Sequence, residues 1–132
     1  MNNTYLSKIG ALKHLLQAEL NLELAILVGS RVTDTATQNS DWNIAIRWKK
    51  GMSGLEYLQY SAVLKKKIAN AVDIHQEKID LIDMSTARLA MKAVVAEEGL
   101  VLKNDGTLAW SHFLTQTWAE LEDHYWRKQH AA

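Results

Sequence analysis

The run Leu-Glu-Leu-Ala-Ile-Leu-Val, Leu22 to Val28, constrains this chain more than any other stretch. Seven residues carrying a single charge have the length and apolar density of a buried strand, and Gly29 ends the run. A second strand follows from Asp41, where Asp-Trp-Asn-Ile-Ala-Ile-Arg-Trp alternates with period two until about Lys49, and Lys-Lys-Gly-Met-Ser-Gly reads as a turn. A third, Lys-Ile-Asp-Leu-Ile-Asp-Met from Lys78, sends Ile79, Leu81 and Asp83 to one face and Asp80, Ile82 and Met84 to the other.

Helical spacing fills the intervals. Leu6, Ile9, Leu12, Leu15, Leu16 and Leu20 predict an amphipathic helix over residues about 4 to 20. Tyr57, Tyr60, Leu64, Ile68, Ala71 and Val72 predict another over about 54 to 73, with Lys65, Lys66 and Lys67 crowded at its side. Ser85 is the expected N-cap of a helix that runs to about Glu97 and that Gly99 ends; Leu-Val-Leu-Lys-Asn-Asp-Gly then reads as a short edge strand and turn. Trp110, Leu114, Trp118, Leu121 and Tyr125 mark a final helix. This order predicts an α/β (α+β) sandwich, a small mixed sheet backed by helices on one face.

Length and charge narrow the function. The 132 residues suit a single domain spanning 1–132, and the chain has no proline, repeat or linker-like stretch that would divide it. Lys plus Arg equals Asp plus Glu at 15 each, so no global charge draws in nucleic acid or an anionic membrane, and direct nucleic-acid binding is not expected. The absence of cysteine excludes disulfides, thiolate metal sites and a cysteine nucleophile, and the N-terminal periodicity is broken by Lys8, Lys13 and His14 as no signal-peptide core is. The expected compartment is the cytoplasm. A P-loop reading fails for want of G-x4-G-K-[ST].

The chemistry gathers between the first two strands. Gly29-Ser30 at a strand's end offers backbone N–H groups and a hydroxyl to a phosphate oxygen without a bulky side chain in the way. Residues 41 and 43 share one strand face, and carboxylates so placed can hold a pair of hard divalent cations; Asp80 on a neighbouring strand can close the cluster. Such a cluster performs two-metal phosphoryl transfer.

Gly29-Ser30, ten residues, then Asp41-Trp42-Asn43 resembles the Gly-Ser-x10-Asp-x-Asp signature of the DNA polymerase beta nucleotidyltransferase superfamily, with Asn43 where the second Asp belongs. Asp80 in Ile-Asp-Leu-Ile-Asp resembles the family's third carboxylate. The run from Arg88 through Glu98-Gly99 to Leu102 is similar to the minimal nucleotidyltransferases, and the likeness covers about residues 4 to 125. The resemblance implies an antitoxin of a HEPN/MNT toxin-antitoxin module that transfers AMP from ATP to a tyrosine of its HEPN ribonuclease toxin. It implies Gly29 and Ser30 on the nucleotide phosphates, and Asp41, Asn43 and Asp80 as catalytic and Mg2+-holding residues. An amide at position 43 removes one negative charge from a cluster meant for two dications, so reduced or lost activity is expected, whether Asn43 is native or engineered. The alternative is an antitoxin that neutralises by binding alone.

Other residues carry weaker signals. Asp83 points to the opposite face from Asp80, and Arg31 can meet a phosphate but reads first as a solvated arginine after a turn. His14, His75, His112, His124 and His130 lack paired metal-ligand spacing. Lys65 to Lys67 read as a solvated face, and the aromatic stripe of the last helix as core with some capacity to dock a partner.

Overall fold

A computed structural model describes residues 3–33, 35–37, 39–104 and 108–131. In chain order the elements are α1 (Asn3–Gln17), β1 (Leu22–Val28), α2 (Ser30–Thr33), β2 (Trp42–Trp48), α3 (Gly54–Val72), a 3-10 turn (Gln76–Lys78), β3 (Ile79–Asp83), α4 (Leu89–Glu98), β4 (Leu100–Asn104) and α5 (Ala109–His130). The strands form one sheet in the order β3-β2-β1-β4. β1 is antiparallel to both β2 and β4, whereas β2 and β3 run parallel, with α3 as the crossover between them. The mixed sheet expected from the sequence is present.

Helices cover both faces of that sheet, not one. On the first face Ile9, Leu12 and Leu16 of α1 and Leu64, Ile68 and Val72 of α3 pack with Ala25, Leu27, Trp42, Ile44 and Ile46. On the second, Val95 of α4 and Phe113 of α5 pack with Leu24, Ile26, Val28 and Ala45. Burial on two sides is why β1 is apolar at successive positions instead of alternating. Leu22 shares the first cluster with Ala25 and Leu27 despite its parity, because a register shift between Leu22 and Leu24 slips the strand by one residue.

Local chemistry moved two of the expected boundaries. α1 stops at Gln17, since the amides of Ala18 and Glu19 turn back three residues, to the carbonyls of Leu15 and Leu16; Leu20 therefore lands in the turn to β1, 79% exposed. Leu6 is also exposed. Ser85 does not cap α4. The Asp83 carboxylate accepts the Ser85 amide at 2.9 Å, an Asx turn that delays the helix until Arg88 stands at its N-cap. α3 does begin with a reciprocal cap, in which Ser53 and Glu56 each accept the other's backbone amide.

Gly99 ends α4 as expected, for a packing reason. Its backbone is not left-handed, but a Cβ there would run into Ile26 Cγ2 and the Val95 carbonyl, so only glycine lets the helix end lie on β1. The Asp105-Gly106 turn expected after β4 falls outside the described residues. Among the described residues no helix is long and apolar enough to cross a membrane.

Candidate functional site

The sheet register gathers the residues that the sequence singled out. β1 ends where β2 begins, and Val28 pairs with Asn43; on its other side Asn43 pairs with Asp80 at the start of β3. Residue 43 is thus the middle of three neighbouring chains, flanked by the Gly29-Ser30 turn and by Asp80, at strand spacings of about 4.8 Å. Asp41 precedes β2 by one residue and shares parity with Asn43. Asp41 and Asp80 are exposed and Asn43 is half-buried, so the three open to solvent on the α4/α5 side of the sheet.

Gly29 touches this cluster directly. Its φ of +85° belongs to the left-handed region, and a Cβ built on it would lie 2.8 Å from the Asn43 side-chain nitrogen. Both facts require glycine. Ser30 opens α2, a single turn held by the amides of Val32 and Thr33 on the Gly29 carbonyl at 3.0 and 3.4 Å.

The chemistry open to this arrangement follows from its donors. Two carboxylates and a carboxamide oxygen are hard ligands suited to Mg2+, with less charge than three carboxylates would bring. Among the described residues no group of three or more His, Cys, Asp and Glu gathers as a metal site. All five histidines are exposed and scattered. Of Lys65 to Lys67, Lys67 pairs with Glu19 in the turn after α1, at 2.6 Å.

Arg31 is not the solvated residue that the sequence suggested. Its guanidinium lies 4.6 Å from the Trp42 ring centroid and donates to the Ser40 carbonyl at 2.8 Å, while the Tyr5 hydroxyl donates to the Arg31 carbonyl at 2.7 Å. Burial lowers its pKa from the ordinary arginine value, and Tyr5 opposes that shift. Sequence reasoning missed this contact because the ring it covers is eleven residues away, on the next strand.

A concave feature lies at the opposite end of the strands. A pocket of about 270 Å³ is lined by Arg47, Lys49, Lys50, Ser53, Tyr57 and Asp83 among others. Asp83 lines this end, and its parity sets it on the opposite face from Asp80, as the alternation predicted. Tyr57 has its pKa raised, first by burial and then by the adjacent Asp83 carboxylate. From Asn43 to Trp48 the strand covers about 17 Å, so pocket and carboxylate cluster are separate.

Comparison with known proteins bears on the carboxylate end. A family model described as "Polymerase beta, Nucleotidyltransferase" matches residues 11–107, a span that includes Gly29, Ser30, Asp41, Asn43 and Asp80. Curated proteins give no significant match. Solved structures do. A toxin-antitoxin with AMP-PNP is similar at 23% identity and a TM-score of 0.69, covering 92% of each chain. The MntA-HepT toxin-antitoxin matches at 21% identity and 0.63, over 92% of this chain and 91% of that one. A tri-AMPylated Shewanella oneidensis HEPN toxin in complex with MNT antitoxin matches at 20% and 0.64, over 95% and 92%. At these identities the likeness is one of fold.

Proposed function

Because the chain belongs to the polymerase beta nucleotidyltransferase family, we propose that it is a minimal nucleotidyltransferase antitoxin whose reaction is AMP transfer from ATP to a tyrosine of a HEPN toxin. The observation that carries this reading is the register that pairs Asn43 with Val28 on one side and Asp80 on the other, with Gly29 close against the Asn43 side chain. The fold-level neighbours supply the rest: one holds AMP-PNP, another pairs an MNT antitoxin with an AMPylated HEPN toxin.

On this reading each residue has a task. The Gly29-Ser30 amides and hydroxyl grip the triphosphate, which the missing Cβ allows to approach closely. Asp41, Asn43 and Asp80 are the residues that would hold Mg2+, which when bound offsets the charge that builds on the departing pyrophosphate. Asp80, exposed at the strand start, orients the acceptor tyrosine and takes its proton. The phenolic oxygen forms a bond to the α-phosphorus, and the bond from that phosphorus to the bridging oxygen breaks, releasing pyrophosphate. We place the single domain 1–132 in the cytoplasm, beside its toxin.

Asn43 weakens the centre. An amide oxygen can ligate a hard cation but brings no charge, so metal affinity and turnover fall together. The test is to incubate the chain and its Asn43→Asp variant with alpha-labelled ATP, Mg2+ and the protein encoded beside it. At least about tenfold more label on that protein with Asn43→Asp, equivalent to about 1.4 kcal/mol of barrier, is expected. A stable complex with no label from either chain would instead favour an antitoxin that acts by occlusion.

A further inference from the structure

We infer that Arg31 is a positioning residue that fixes the Gly29-Ser30 turn relative to the Asp41-Asn43 strand. The inference rests on the nucleotidyltransferase reading of those residues. The β1–β2 pairing ends at Val28 and Asn43, and beyond it Ser30 and Asp41 are joined only by a ten-residue spacer. Arg31 spans the gap. It follows Ser30 directly, its guanidinium donates to the carbonyl of Ser40, the residue before Asp41, and it stacks on Trp42, the residue between Asp41 and Asn43. Its own carbonyl is held by Tyr5 of α1, which anchors the brace to the helix layer.

The placement argues against a direct phosphate contact. Trp42 is fully buried in the α1/α3 cluster, and alternation sends Asp41 and Asn43 to the other face. The guanidinium stacked on that ring therefore lies across β2 from the carboxylate cluster. A planar cation over an indole with a fork of donors is a shape that lysine does not reproduce. Charge alone is not what the position uses.

That contrast makes the test. In the Asn43→Asp background, affinity for AMP-PNP with Mg2+ is measured for Arg31→Lys, Arg31→Gln and a control, Ile68→Val, which loosens the α1/α3 cluster that also holds Trp42 but leaves the Arg31 side chain and its hydrogen-bond acceptor in place. Measurements are made at a temperature where circular dichroism shows every variant folded, with amide exchange followed at residues 35–37, 39 and 40. The brace requires both Arg31 variants to lose at least about tenfold in affinity, equivalent to about 1.4 kcal/mol, and to exchange faster across those residues, with Ile68→Val binding as its parent does. Rescue by Arg31→Lys would overturn the inference, because charge then suffices; parent-like affinity in both variants would overturn it as well. Failure of the Asn43→Asp parent to bind AMP-PNP would remove the functional premise and the inference with it. That outcome is told apart because it involves no change at Arg31.

Discussion

The two ends of the sheet make opposite use of the same strands. Where β1 stops and β2 and β3 start, the backbone brings Gly29, Asn43 and Asp80 together with solvent in front of them. Where β2 and β3 stop, Arg47, Lys49, Lys50, Tyr57 and Asp83 line a pocket of about 270 Å³. A deep, apolar pocket is the usual first place to look for a ligand site. Here hard-oxygen donors in register mark the candidate site more strongly than concavity does, because a triphosphate with its cations is held by charge and close backbone approach.

Substituting glycine at each end sharpens the contrast most. Gly29 and Gly51 both have positive φ, +85° and +101°, but a Cβ on Gly29 meets Asn43 whereas one on Gly51 meets nothing within 4 Å. Gly51→Ala is expected to cost about 1–3 kcal/mol of strain alone. Gly29→Ala adds the displacement of Asn43, for a total of about 2–5 kcal/mol, and it also weakens AMP-PNP binding. Chemical denaturation of both variants measures the difference; equal losses would mean that Asn43 does not press on the turn.

The next largest effect compares two aspartates of one strand. In the Asn43→Asp background, Asp80→Asn should lower AMP transfer by about 100-fold, equivalent to about 2.7 kcal/mol, while Asp83→Asn should leave it within about twofold. A loss confined to Asp83→Asn, read as label on the toxin, would move the chemistry to the pocket end.

The smallest effect is a titration at the pocket end. Burial and the Asp83 charge raise the Tyr57 pKa, so the folded state holds that proton more tightly than the unfolded chain does. Its contribution to stability is complete below the unfolded tyrosine value of about 10 and is lost as pH rises through the folded value. Urea denaturation series above about pH 10 should show a shallower alkaline decline for Tyr57→Phe than for the parent. Identical slopes would remove this residue as the source.

The candidate site was legible in the sequence to the extent that it depends on local rules. Period two placed Asp41 with residue 43 and set Asp80 apart from Asp83, and the spacing from Gly29-Ser30 supplied the resemblance. Contacts between distant residues were less legible. Arg31 carries no local sign that it will lie on Trp42. The Asp83-Ser85 contact, by contrast, spans two residues, a local Asx turn that the N-cap reading of Ser85 overlooked. The one-faced sheet was a misreading of available information: successive apolar residues from Leu24 to Val28 are what burial on both faces demands. Exposed Trp118 and Tyr125 show where the last stripe outruns the core it was expected to join.

The most direct measurement is a titration of the Asn43→Asp variant with Mg2+ and AMP-PNP, followed by backbone amide chemical shifts. Saturating shifts are expected at Gly29, Ser30, Asp41, residue 43 and Asp80, with Trp48, Gly51 and Tyr57 unmoved. Shifts confined to residues 47–57 and Asp83 would contradict that reading, and would assign the nucleotide to the pocket at the other end of the sheet.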